Sequence, residues 1–181
     1  MISQLNSFKR QPRAEICWHM HLFIVRHGEA EQHSHNDSSR NLNHNGRQES
    51  IRMGRWIAQQ CEQFDLVLMS PFNRAIQTWE SMQAQGIRCK QFVYLTELQP
   101  EADVETSLSV IQAYSDGLDN VLVVSHLPLV CHLVDELVVE PCPLFATGTT
   151  AVLNLSKDHI KGHLEQIISP AQVPNDIPLR A

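Results

Sequence analysis

The sequence predicts an α/β sandwich built on a mainly parallel central sheet. Three short apolar runs, Leu22–Val25, Leu66–Met69 and Val121–Val124, read as strands buried on both faces. Between them lie longer stretches whose apolar residues recur at helical spacing. Strands that alternate with amphipathic helices pack as layers, with the helices covering the sheet.

The first nineteen residues are polar and irregular, with only Ile16 and Trp18 able to pack locally. They read as a dispensable extension, so the domain is expected over 20–170, with a loose, proline-containing tail over 171–181. After the first strand, Glu29 to Arg40 is rich in His, Ser, Asn and Asp and reads as a solvated loop. Asn43 is a candidate N-cap for a helix over about Asn45 to Gln63, whose apolar face is Ile51, Met53, Trp56, Ile57 and Cys61. The second strand leads into Ser70-Pro71, a cap followed by a proline suited to a first helical turn, and that helix runs to about Gln85. A short strand over Gln91–Leu95, a helix from Asp103 or Glu105 to Tyr114 and the third buried strand follow. Pro128 opens a helix ending near Leu137, and Thr150–Leu155 and Leu164–Ile168 read as late strands.

A chain of 181 residues suits one domain with a substantial core. No apolar run approaches the roughly 20 residues that span a bilayer, and no apolar stretch follows Lys9, Arg10 and Arg13 as in a signal peptide. A cytoplasmic protein without membrane attachment is therefore expected. The five cysteines are scattered and form no C-x-x-C pair, which fits free thiols. A net charge of −6 argues against a broad nucleic-acid-binding surface, so any phosphate chemistry must use local positive charge.

That charge stands at strand ends, where ligands bind in such sheets. Val25 is followed by Arg26-His27-Gly28, Met69 by Ser70-Pro71-Phe72-Asn73-Arg74, and Val124 by Ser125-His126. Any one of these histidines or arginines alone would read as structural or solvated; three coincidences on one rim do not. A neutral imidazole can attack phosphorus through one ring nitrogen while a backbone carbonyl holds the proton on the other. His27 is the candidate nucleophile. Arg26 and Arg74 can present planar forks to phosphate oxygens, and His126, if protonated, can donate to another. Gly28 would allow close backbone approach.

Arg26-His27-Gly28-Glu29, Leu42-Asn43-x-x-Gly46, Ser70-Pro71-x-x-Arg74-Ala75-x-Gln77-Thr78 and Ser125-His126 together resemble the histidine phosphatase superfamily. The stretches around Ser70 and His126 are most similar to its SixA branch of protein phosphohistidine phosphatases. The resemblance runs from about Met20 to Pro170. It implies a three-layer, phosphoglycerate-mutase-like sandwich, with His27 as phosphoacceptor, Arg26, Arg74 and His126 completing the phosphate pocket, and neither metal nor other cofactor. Asn43 stands where the family often has Thr, and His33 to Ser39 has no firm counterpart and is left outside the site. Arg40 looks like a branch arginine that binds substrate phosphate, with a plain surface role the alternative. Glu97 matches the position of a general acid in larger members; the alternative is a loop carboxylate that caps the next helix.

Two H-x-H pairs, His19 with His21 and His33 with His35, lack partners at ligand spacing and do not make a metal site. Trp56 and Trp79 fall at core-like helical positions rather than on a base-stacking face, and Trp18 lies in the extension. Little chain separates Glu97 from the helix near Asp103, which leaves no room for a lid and predicts a shallow pocket. A shallow pocket suits a phosphohistidine projecting from a folded partner, and the resemblance points to a histidine-containing phosphotransfer domain as that partner. A small-molecule phosphomonoesterase and a noncatalytic phosphohistidine-binding module are the alternatives.

Overall fold

The computed structural model describes residues 19–178 except 33, 143 and 157–160, so the expected extension, save His19, lies outside the described residues. Six strands form one sheet: β1 His19–Arg26, β2 Gln63–Met69, β3 Arg88–Tyr94, β4 Asn120–Ser125, β5 Thr150–Ser156 and β6 His163–Ile168. Their spatial order is β3-β2-β4-β1-β5-β6. The first four in that order run parallel, while β5 lies antiparallel to β1 and β6 antiparallel to β5. The sheet is mixed and mostly parallel, because the last two strands are joined by a short connection that leaves no length for a crossover helix.

Alternation along the strands assigns the two faces. Phe23, Val25, Val67, Met69, Leu122 and Val124 pack against α1 (His44–Gln60) and α2 (Asn73–Gln83). Leu22, Ile24, Leu66, Leu68, Val121 and Val123 pack on the other side, against α3 (Val104–Ser115) and α4 (Leu129–Leu137). The result is the expected three-layer sandwich. Each such buried side chain contributes roughly 1.5–3 kcal/mol relative to exposure. Trp56 and Trp79 belong to the core on the α1–α2 side.

Element ends follow from local chemistry. Asn43 caps α1, its side chain accepting from the Gly46 N–H at 2.8 Å. The helix stops at Gln60, earlier than the sequence predicts, because Gln63 and Phe64 already belong to β2. Helix α2 also departs from expectation. It begins at Asn73 after Phe72, with no side-chain cap, so Ser70-Pro71 lies ahead of the helix rather than in its first turn. Asp103 caps α3 through the Thr106 N–H at 2.9 Å. The segment after Pro170 touches the core at two points: Val173 is buried and Ile177 rests on the core, while the other described residues beyond Pro170 are exposed.

The crossovers place the reactive residues. Helix α1 carries the chain from β1 past β4 to β2, and α3 returns it from β3 past β2 to β4. The carboxyl ends of β2, β4 and β1 therefore lie side by side, and the residues that leave those three strands share one rim.

Candidate functional site

His27 emerges from β1 almost fully buried. Its Nδ1 lies 2.7 Å from the Gly28 carbonyl oxygen, which can only accept, so Nδ1 carries the proton and Nε2 holds the lone pair. Gly28 itself has no room for a side chain, since a Cβ there would stand 2.5 Å from the Gly46 carbonyl oxygen at the start of α1. Its N–H donates to Thr78 Oγ1 at 3.0 Å, and the Thr78 hydroxyl donates back to the Arg74 carbonyl at 2.7 Å. The strand exit, the first turn of α1 and the first turns of α2 are thus locked together.

Arg74 is buried and reaches the same point. Its Nε donates toward both His27 Nε2 and His126 Nδ1, at 3.2 Å each. His126 follows β4, and its Nε2 stands 2.7 Å from Ser70 Oγ. With Nδ1 accepting from Arg74, neutral His126 must carry its proton on Nε2 and donate to Ser70. This explains why Ser70 does not cap α2: its hydroxyl orients a histidine instead. The His27 and His126 rings lie 4.8 Å apart, and the Phe72 ring lies beside His126 with the Arg74 guanidinium over it at 4.9 Å.

Burial, with Arg74 and Arg26 nearby, pushes the His27 pKa down to about 3; the Gly28 contact opposes this without reversing it. Burial, then the neighbouring His27, Arg74 and Arg26, push His126 down to about 2. Both rings are neutral at physiological pH in this arrangement, so His126 does not stand protonated beside Arg74. Arg26 projects from the end of β1; its Nη1 donates to the Phe145 carbonyl at 2.7 Å, while its buried Nε has no partner among the described residues.

Arg74 does not offer an open fork. Its Nη1 donates to the Asp37 backbone carbonyl at 2.7 Å and its Nη2 to Asp37 Oδ2 at 2.9 Å. Asp37 Oδ1 also accepts from Arg40 Nη1 at 3.0 Å, and Arg40 Nε donates to the Glu31 carbonyl. The segment left outside the site by the sequence reading therefore touches its central arginine. Asp37 sits in a 3-10 turn, Asp37–Ser39, that Asn36 caps and Asn73 braces from the start of α2. The one sequence signal for it was that Asn cap, followed by an acid three residues before Arg40.

The structure thus brings Arg26, His27, Arg74 and His126 to one rim, with Arg40 joined to them through Asp37. Glu97 is not joined. It lies in the 3-10 turn Thr96–Leu98, which the Ser125 hydroxyl ties to the end of β4 through the Leu98 carbonyl at 2.8 Å. Its carboxylate accepts from Thr96 Oγ1 at 3.1 Å and, among the described residues, bonds none of the four. It does not cap α3 either, a task that Asp103 performs.

Residues 22–101 match the family described as Histidine phosphatase superfamily (branch 1), a range that contains Arg26, His27 and Arg74 but ends before His126. The phosphohistidine phosphatase SixA of Escherichia coli (strain K12) is 40% identical over 140 residues, 76% of this chain and 87% of that protein. The chain belongs to the histidine phosphatase superfamily. A SixA homolog from Haemophilus influenzae is 32% identical over 143 residues, covering 74% of this chain and 87% of its own. The solved structure of the protein histidine phosphatase SixA complexed with tungstate superposes with a TM-score of 0.80 at 38% identity, over 86% of this chain and all of that one. Like its superfamily, this chain is a phosphatase on the phosphoglycerate-mutase-like fold, and among the described residues no helix is long and apolar enough to cross a membrane.

Proposed function

We propose that this protein is a cytoplasmic protein phosphohistidine phosphatase that acts on a histidine-containing phosphotransfer domain through a phosphorylated His27. The observation that carries the reading is the His27 tautomer: Nδ1 is tied to the Gly28 carbonyl and Nε2, neutral, faces the shared Arg74 donor. A phosphoryl group placed between Nε2 and solvent would meet Arg74 Nε and the His126 ring, with the positive charge of Arg26 close by. As Nε2 gives its electron pair to phosphorus, the bond to the leaving nitrogen breaks, and the arginines counter the charge on the transferring oxygens. Water then attacks phosphorus, the electron pair returns to Nε2, and phosphate leaves.

The SixA relatives support phosphohistidine as the substrate, and the short passage from Gln99 to Asp103 before α3 supports an unlidded site open to a folded partner. The test compares kcat/KM for a phosphohistidine phosphotransfer domain with values for sugar and nucleotide phosphates. A preference of at least about a hundredfold for the phosphoprotein is expected; faster turnover of any of the small phosphates would favour a phosphomonoesterase.

A further inference from the structure

From the placement of Asp37 against Arg74 and Arg40 at the mouth of the His27 site, we infer that its carboxylate selects a phosphoramidate over a phosphate ester by binding the departing imidazole ring. This deepens, and rests on, the phosphohistidine phosphatase reading. The Arg74 guanidinium points its Nε inward, to the two histidines, and its two terminal nitrogens outward, to Asp37. Asp37 thus stands across the Arg74 guanidinium from the nucleophile, one hydrogen bond beyond it on either side, and it is the exposed end of that chain of contacts. Each carboxylate oxygen accepts only one of these bonds, and the side chain is 53% exposed, so lone pairs remain for a ligand.

A fixed anion beside a phosphoryl site is counterproductive for binding a dianion and needs a reason. Phosphohistidine supplies one. Its ring nitrogen distal to phosphorus takes a proton from solvent near neutral pH. That N–H is the group a carboxylate at the mouth can accept from, which holds the ring in its cationic, more labile form. His27 Nε2 then donates its electron pair to phosphorus, the P–N bond breaks with its pair passing to the ring, and the ring departs as neutral imidazole, still carrying the distal proton. No acid is needed at the leaving nitrogen. An ester presents no such proton and leaves with negative charge, which Asp37 repels. Glu97, the carboxylate the sequence offers as a general acid, is bonded to Thr96 and, among the described residues, makes no bond to the cluster that would let it supply an ester's proton.

The test is Asp37→Asn in the full chain, which keeps the shape and an acceptor for Arg74 but removes the charge, with Asp37→Glu as the charge-retaining control. Expected are a fall of roughly tenfold in the ratio of kcat/KM for a phosphohistidine phosphotransfer domain to that for p-nitrophenyl phosphate, and competitive inhibition by inorganic phosphate tightened severalfold. Asp37→Glu should retain most of the wild-type preference. Equal losses on both substrates would make Asp37 a mere brace for Arg74 and overturn the inference, as would unchanged or weakened inhibition by phosphate. If the wild type hydrolyses p-nitrophenyl phosphate but not the phosphohistidine protein, the functional reading fails and selection for a phosphoramidate falls with it. The phosphate arm then still shows whether the Asp37 charge reaches the site.

Discussion

Binding of a tetrahedral oxyanion should draw a proton into the site, and His126 should be the group that takes it. Its Nδ1 accepts from Arg74 Nε and its pKa is about 2, so with that contact in place at pH 7 Nδ1 carries no proton to donate to a phosphoryl oxygen. Raising that pKa from about 2 to 7 costs about 7 kcal/mol, at about 1.4 kcal/mol per pH unit. A dianion about 4 Å from the ring, at an effective dielectric constant near 20, supplies about 8 kcal/mol. The two figures are of the same order, so a bound oxyanion can hold a proton on His126 near neutrality. Arg74 Nε, released from the two histidine lone pairs, turns to the oxyanion at the same time. Calorimetric titration with tungstate at pH 7, repeated in buffers of different ionisation enthalpy, measures the proton uptake directly. Wild type should take up between half and one proton per site, and His126→Asn close to none, while His27→Ala keeps the uptake. Tight binding by wild type with no proton uptake would refute the coupling and leave His126 a neutral spacer.

The same low pKa values predict acid sensitivity. Both histidines titrate lower in the folded state than the ordinary 6.5, so below that pH the unfolded chain binds protons that the folded chain refuses. Their contribution to stability is complete above pH 6.5 and is lost as the pH falls toward about 3 and 2. Between pH 6.5 and 5 the loss should be about 2 kcal/mol per histidine, read as the difference in urea unfolding between wild type and a His27→Gln, His126→Gln double variant; parallel curves would contradict it. Glu97→Gln should leave phosphohistidine turnover within about threefold, because the carboxylate bonds Thr96 rather than the cluster. A loss on the order of a hundredfold in single-turnover assays would restore Glu97 as the general acid. Ser70→Ala should lower kcat by about tenfold with little change in melting temperature, since its hydroxyl orients His126 rather than capping α2.

What could be read from the chain was whatever is carried by local pattern. The buried strands followed from uninterrupted apolar runs, and Asn43 from the capping preference of its side chain. Arg26, His27, Arg74 and His126 could be gathered because each leaves, or closely follows, a strand end, and strand ends of a parallel sheet converge. Contacts made across the fold left no such trace. Ser70 looked like a helix cap because Ser-Pro usually is one; only the adjacency of β2 and β4 delivers its hydroxyl to His126. Asp37 lay in a polar segment without periodicity, and its importance comes from α2 presenting Arg74 beneath it. The segment after Pro170 looked loose because Pro174 and Pro178 interrupt it, yet Val173 and Ile177 find the α1–α2 face of the core.

Phosphorylation of His27 Nε2 can be caught by rapid acid-free quench of a single turnover with a radiolabelled phosphohistidine domain. A transient, acid-labile and alkali-stable label on the enzyme, mapped by peptide sequencing to His27, is expected. Folded His27→Ala protein should give neither label nor turnover. Phosphate released at the wild-type rate by the His27→Ala protein, or label found on another residue, would contradict it.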